Sequence, residues 1–225
     1  LELLEVYSSY GEISVLRGIN LEIGMGEIVA LLGRNGMGKS TTIKSICGML
    51  KPNKGQINFN GLNIIGIPSF KIARMGMGLV PEGRRIFSNL TVIENLTGSS
   101  RKGYWDLKRI LELFPVFEDR LSQRSSTLSG GEQQMLSIGR ALMTNPSLIL
   151  LDEATEGLSP VVSTKIWDVL GSISNEGISI LIVDKLSTPL KSLSNFGYII
   201  ERGQTKWSGS LSTIPTTVIG KFLGV

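Results

Sequence analysis

No histidine occurs anywhere in the 225 residues. This excludes histidine-ligated metal sites and any catalytic triad built on an imidazole. Cysteine occurs once, at Cys47, so no disulfide can close within the chain. Between Ile46 and Met49, in the helix expected there, Cys47 reads as a small buried apolar side chain. No run approaches the roughly twenty uninterrupted apolar residues that span a bilayer, and no signal-peptide pattern opens the chain. Any membrane connection is therefore expected to come through a partner. The chain begins on Leu1 rather than Met, and a short initial segment is expected to precede it. Basic residues exceed acidic ones by 23 to 19, but they are scattered, with slight clustering only at Lys51 to Lys54, Arg84-Arg85 and Arg101-Lys102. A nucleic-acid stripe would be denser, so no nucleic-acid partner is expected. Internal repeats and low-complexity linkers are also missing.

What is present suits a globular α/β protein. Hydrophobic residues make up 41% of the chain, and the length allows one substantial domain with room for a subdomain. Short strands are expected at Leu3–Tyr7, Leu16–Ile23 and Gln56–Phe59, punctuated by Gly11, Gly24, Gly26, Gly55 and Gly61. Continuous apolar runs at Glu27–Leu32, Met77–Pro81, Ser147–Leu151 and Ile178–Val183 read as buried parallel strands. Helix is expected over Ser40–Ile46, Asp106–Phe114, Gly130–Met143 and Val161–Ile173, and a terminal hairpin begins at Gly197–Glu201. Alternating strand and helix implies a mainly parallel sheet covered on both faces.

Gly33-Arg34-Asn35-Gly36-Met37-Gly38-Lys39-Ser40 fits G-x-x-x-x-G-K-[ST], and it stands between an expected strand and an expected helix, as the motif requires. Its glycines let successive N–H groups turn inward on phosphates, and the helix start adds partial positive charge. Lys39 is placed to reach the β- and γ-phosphates of ATP, and Ser40 to sit on Mg²⁺. Gly33, Asn35, Gly36, Gly38 and Thr41 complete the candidate nucleotide contacts. Asp152 and Glu153 stand at the carboxyl end of the strand before them, the edge where open α/β sheets bind ligands. Alone, they would read as a solvated strand exit. Beside a phosphate cradle, Asp152 suits Mg²⁺ and Glu153 suits the attacking water.

Leu128-Ser129-Gly130-Gly131-Glu132-Gln133-Gln134 narrows the reading further. With the two motifs above, the sequence resembles the ATP-binding subunits of ABC transporters over essentially its whole length. The resemblance implies a P-loop NTPase core, an N-terminal antiparallel β subdomain and a helical subdomain at about 84–145, all within one domain spanning 1–225. It also implies that Ser129, Gly130 and Gly131 touch the γ-phosphate held by an opposite subunit, while also capping a helix. Tyr10 matches the aromatic that stacks on adenine, with Tyr7 as neighbour or substitute. Val80 to Phe87, Leu90 to Leu96, Glu156 to Pro160 and the ending Phe222-Leu223-Gly224 resemble the ATPase subunits of branched-chain amino-acid importers and their relatives for urea or short amides.

Three positions depart from the wider family. Glu82 stands where glutamine is usual; the amino-acid subgroup often carries glutamate, and its carboxylate remains a candidate Mg²⁺ ligand. Ser159 replaces an aspartate. Lys185 falls where a histidine would contact the γ-phosphate; it either supplies positive charge there or is a solvated lysine after a core strand. The resemblance implies an ATPase at the cytoplasmic face of the cell membrane, docked on integral-membrane permease subunits. It would be paired with a copy of itself or with a paralogue. A poorly hydrolysing regulatory half of an asymmetric pair is the other class of function. Rivals acting on DNA or the ribosome would need long arms between the motifs, or two ATPase domains, and this chain has neither.

Overall fold

A computed structural model describes residues 1–194 and 196–224. Two sheets organise it. Strands β1 (Glu2–Tyr10), β2 (Ile13–Glu22), β4 (Lys54–Phe59) and β5 (Leu62–Asn63) form an antiparallel sheet in the order β2-β1-β4-β5. Strands β3 (Ile28–Leu32), β6 (Met77–Val80), β7 (Leu148–Asp152), β8 (Ser179–Val183), β9 (Phe196–Glu201) and β10 (Gln204–Ser210) form the second, in the order β10-β9-β3-β8-β7-β6. Every pairing in it is parallel except the β9–β10 hairpin.

All five residues of β3, β7 and β8 are buried, because both faces of this sheet are covered, and the period of two sorts their side chains. Ile28, Ala30, Leu32, Ile149, Leu151, Ile180 and Ile182 enter one apolar core. They meet there α5 (Gly130–Leu142), through Leu136 and Ile138, and α6 (Pro160–Asn175), through Ile166 and Leu170. Val29, Leu31, Leu148, Leu150, Leu181 and Val183 enter the other, against Ile43 and Ile46 of α1 (Lys39–Ile46) and Leu3, Val6, Leu16 and Ile19 of the antiparallel sheet. The same alternation explains why the runs read as uninterrupted apolar stretches.

Four short helices lie outside the stretches with helical apolar spacing: α2 (Ser69–Arg74), α3 (Val92–Thr97), α7 (Thr188–Leu193) and α8 (Thr216–Phe222). Each spans less than two turns and holds three apolar residues or fewer, whereas the equally short helix at Leu107–Leu113 shows its period through Leu107, Ile110, Leu111 and the following Phe114. The interval 84–145 holds α3, α4 (Leu107–Leu113) and α5. Its first loop is clamped by buried Asn95, which accepts from the Phe87 N–H at 2.9 Å and donates to the carbonyls of Phe87 and Thr91, each at 3.0 Å. Cys47 is buried just past the end of α1. Among the described residues, no helix is long and apolar enough to cross a membrane.

Candidate functional site

The turn from β3 into α1 is held by backbone that only glycine accommodates easily. Gly33 has φ 152°, and a Cβ there would lie 2.5 Å from the Ile200 carbonyl oxygen. Gly38, with φ 108°, is the N-cap of α1 and offers no side chain to it. No acidic residue occupies the first turn, so the leading N–H groups and the positive end of the helix remain available to an anion. Lys39 is 6% exposed, and its ammonium donates to the carbonyls of Gly33 at 2.8 Å and Arg34 at 3.2 Å. Burial lowers its proton affinity, against the pull of Glu153 and Asp152.

A cavity of about 350 Å³ opens over this turn. Asn35, Gly36, Gly38, Lys39, Ser40, Thr41, Glu82 and Glu153 line it, as do Glu156, which the sequence marks only as the start of the Glu156 to Pro160 stretch, and Val15, which no motif singled out. The Ser40 hydroxyl donates to Asp152 Oδ1 at 3.3 Å. Burial pushes the Asp152 carboxyl up, and the Ser40 bond partly offsets this. Among the described residues, no three His, Cys, Asp or Glu side chains form a cage able to hold a metal ion. One hydroxyl and one or two carboxylates instead suit Mg²⁺, which takes few protein ligands and completes its shell with water and substrate phosphates.

Glu153 leaves β7 with φ 54°, a region that costs a non-glycine residue energy and that recurs at functional sites. Its N–H donates to the Val183 carbonyl at 2.8 Å. A hydrogen bond shared with Glu156, then burial and the charges of Glu156, Glu82 and Asp152, raise its carboxyl to about 7. Glu156 is held below the ordinary carboxylate range by the same bond and by Lys185. The Lys185 ammonium donates to Glu156 Oε1 at 2.9 Å, so the candidate γ-phosphate cation is occupied by a carboxylate. Buried Asp184 joins the two loops, accepting from the Thr155 hydroxyl at 3.1 Å and the Lys185 N–H at 2.7 Å.

The remaining candidates lie apart. Tyr10 is 43% exposed at the end of β1, with Lys44 Nζ 5.8 Å from its ring centre, and it is not on the cavity wall. Tyr7 is committed to Glu5, to which its hydroxyl donates at 3.1 Å. Ser129 caps α5, accepting from the Glu132 N–H at 3.3 Å, while the Ser129 N–H donates to Glu132 Oε2 at 2.8 Å. Ser129, Gly130 and Gly131 therefore stand on a rigid helix start, outside the cavity over Lys39.

A model of the ABC transporter family matches residues 16–156, from within β2 to just past the acidic pair. The chain belongs to the ABC transporter family. It is 40% identical over 205 residues to the high-affinity branched-chain amino acid transport ATP-binding protein BraG of Pseudomonas aeruginosa, covering 89% of this chain and 88% of that one. It is 30% identical over 220 residues to a probable branched-chain amino acid transport ATP-binding protein, LivF, of Archaeoglobus fulgidus, covering 95% and 93%. A solved dimeric bacterial ABC transporter cassette superposes with a TM-score of 0.81 at 26% identity, over 93% of this chain and 98% of that one. The chain is thus an ABC ATPase, with branched-chain amino acid transport proteins among its homologues.

Proposed function

We propose that this ABC ATPase powers an importer, with branched-chain amino acids as the solute, from the cytoplasmic face of the cell membrane. One domain spanning 1–225, with a helical subdomain at about 84–145, would dock on integral-membrane permease subunits. The observation that carries the hydrolytic part is the convergence of Lys39, Ser40, Glu82 and Glu153 on one cavity, with Asp152 bonded to Ser40. The 40% identity to BraG supports the solute.

In this reading the turn Gly33 to Thr41 cradles the phosphates of ATP, and Lys39 neutralises the β- and γ-phosphates. Tyr10, outside the cavity wall at the end of β1, is the aromatic that would stack on the base. Ser40, Asp152 and Glu82 are the residues that would hold Mg²⁺, which when bound draws charge from the phosphate oxygens. Glu153 accepts a proton from a water as that water's oxygen bonds to the γ-phosphorus. The bond from phosphorus to the bridging oxygen breaks, and its electron pair leaves with ADP. Ser129, Gly130 and Gly131 complete the site of an opposite subunit. ATP thereby closes a head-to-tail pair, and hydrolysis reopens it.

Cells in which the chain carries Lys39→Ala should lose uptake of labelled leucine, isoleucine and valine while retaining the protein at normal abundance. Loss of urea or short-amide uptake instead, with normal leucine uptake, would transfer the function to the importers of those solutes.

Lys185 acts through Glu156 in this scheme rather than on phosphate. Lys185→Ala and Glu156→Gln should each lower kcat by less than about tenfold with KM unchanged, since a largely exposed pair contributes little. The double variant should be no slower than either single one. Independent, multiplying losses would return Lys185 to direct phosphate contact.

A further inference from the structure

Arg84 follows β6 in the loop that carries Glu82, with its backbone at φ 66°. Its guanidinium lies directly on Gly130, the first residue of α5, so closely that a Cβ there would overlap it. Its other nitrogen would be 3.9 Å from a Cβ at Gly157, in the loop after Glu153. Nearby arginines hold partners: Arg120 bonds Glu132 at 2.8 Å, Arg85 the Glu82 carbonyl at 3.4 Å, and Arg140 the Arg85 carbonyl at 2.7 Å through one nitrogen, its Nη1 being buried without a partner among the described residues. Among the described residues the Arg84 side chain makes no ion pair and no hydrogen bond. A cation against the positive end of a helix is unfavourably placed unless an anion joins them.

A second observation points to that anion. Gln134, one turn further along α5, is 4% exposed, and its Nε2 has no partner among the described residues. It lines a chamber of about 280 Å³ with Arg84, Gly83, Gln133, Glu82, Glu153 and Glu156. The buried Gln134 amide calls for an acceptor, the half-exposed Arg84 guanidinium beside it is free to share one, and phosphoryl oxygens satisfy both. Glu82, Glu153 and Glu156 line both this chamber and the cavity over Lys39, so the chamber runs from this chain's own site to the start of α5, and a bare anion is poorly received there. A phosphoryl group that arrives with its own cation, as a magnesium nucleotide does, is better matched.

We propose that Arg84 is a catalytic residue acting across the subunit boundary, supplying its guanidinium to the γ-phosphate of the ATP held by the opposite chain. This rests on the head-to-tail reading above. It gives a chain without histidine a cation that develops its full effect only when two subunits have closed.

The test uses the full chain carrying Glu153→Gln, with and without Arg84→Ala, Arg84→Gln or Arg84→Lys. ATP binding to the monomer is followed by calorimetry, and ATP-dependent dimerisation by sedimentation. The expected result is unchanged monomer binding, dimerisation shifted to at least about tenfold higher concentration in the alanine and glutamine variants, and partial recovery with lysine. In the background with Glu153 intact, Arg84→Gln should lower kcat at least about a hundredfold. Dimerisation and turnover like those of the parents would overturn the proposal. If Glu153→Gln alone binds ATP but does not dimerise, the head-to-tail reading fails and Arg84 falls with it. Titration of the nucleotide-free chain with inorganic phosphate supplies the last arm. Saturable binding that disappears in Arg84→Gln would assign the guanidinium to released orthophosphate and overturn the cross-subunit role. Arg84→Gln keeps the experiment decisive if the alanine variant fails to fold.

Discussion

Glu153→Gln should reduce ATP turnover by about 10²- to 10⁴-fold, the range for removing a general base, and should leave ATP-bound dimers that persist on a sizing column. The expectation follows from how the residue is held. Its N–H is bonded to Val183 on the neighbouring strand, its backbone is in the left-handed region, and its carboxyl shares a hydrogen bond with Glu156. That bond and the surrounding charge bring it to about 7, close to the working pH where a base is most effective. Glutamine preserves size and can still donate to the Glu156 carboxylate, so the loop keeps its shape while proton acceptance is lost. ADP should not produce the dimers. Retained turnover in a folded variant would move the base elsewhere, with Glu156 the next carboxylate on the cavity wall.

Gly203→Ala should be among the most damaging single-methyl additions to this chain. Gly203 turns the β9–β10 hairpin at φ 76°, and a Cβ would overlap the Val15 carbonyl outright. Its N–H donates to the Met37 carbonyl at 3.0 Å, and its own carbonyl accepts from the Arg17 N–H at 2.7 Å. The turn is thus wedged between the start of β2 and the phosphate loop, with backbone on both sides and no flexible side chain able to yield. The cost should reach at least about 3 kcal/mol, combining left-handed strain with a backbone clash. In a chain of this size that is a fall in Tm of about 6–12 °C. Gly220→Ala is the control: nothing lies within 4 Å of a Cβ there, and alanine is the better helix former. Thermal unfolding of both, followed by circular dichroism, checks the pair. Equal midpoints would mean that the hairpin does not brace the loop.

Much of the site could be read from residue order because the chemistry demands fixed spacings. Lys39 and Ser40 must follow the glycines directly, and Asp152-Glu153 must end a buried strand. Val15 could not be found this way. A lone valine in β2 has no signature, and only the folding of β2 over the phosphate loop brings it to the cavity wall. The bond between Lys185 and Glu156 was equally hidden, since it spans 29 residues and depends on β7 and β8 being adjacent. Arg84 looked like half of a small basic cluster. Its meaning lies in the contact with Gly130, which follows from the return of the chain through α5 toward β6. The core strands were legible because burial on both faces leaves an unbroken apolar run, but nothing in such a run says which residue faces which side.

That sorting decides which substitutions the sheet tolerates. Leu150 and Leu151 are peptide neighbours, yet one meets the layer beneath the nucleotide loop and the other the helices that rise from the opposite face. A change of volume among the buried side chains of the helices therefore repacks one core and spares the layer beneath the phosphate loop. One sheet thus carries two separately packed cores, one under the nucleotide loop and one under the helices, and a substitution in one leaves the packing of the other in place.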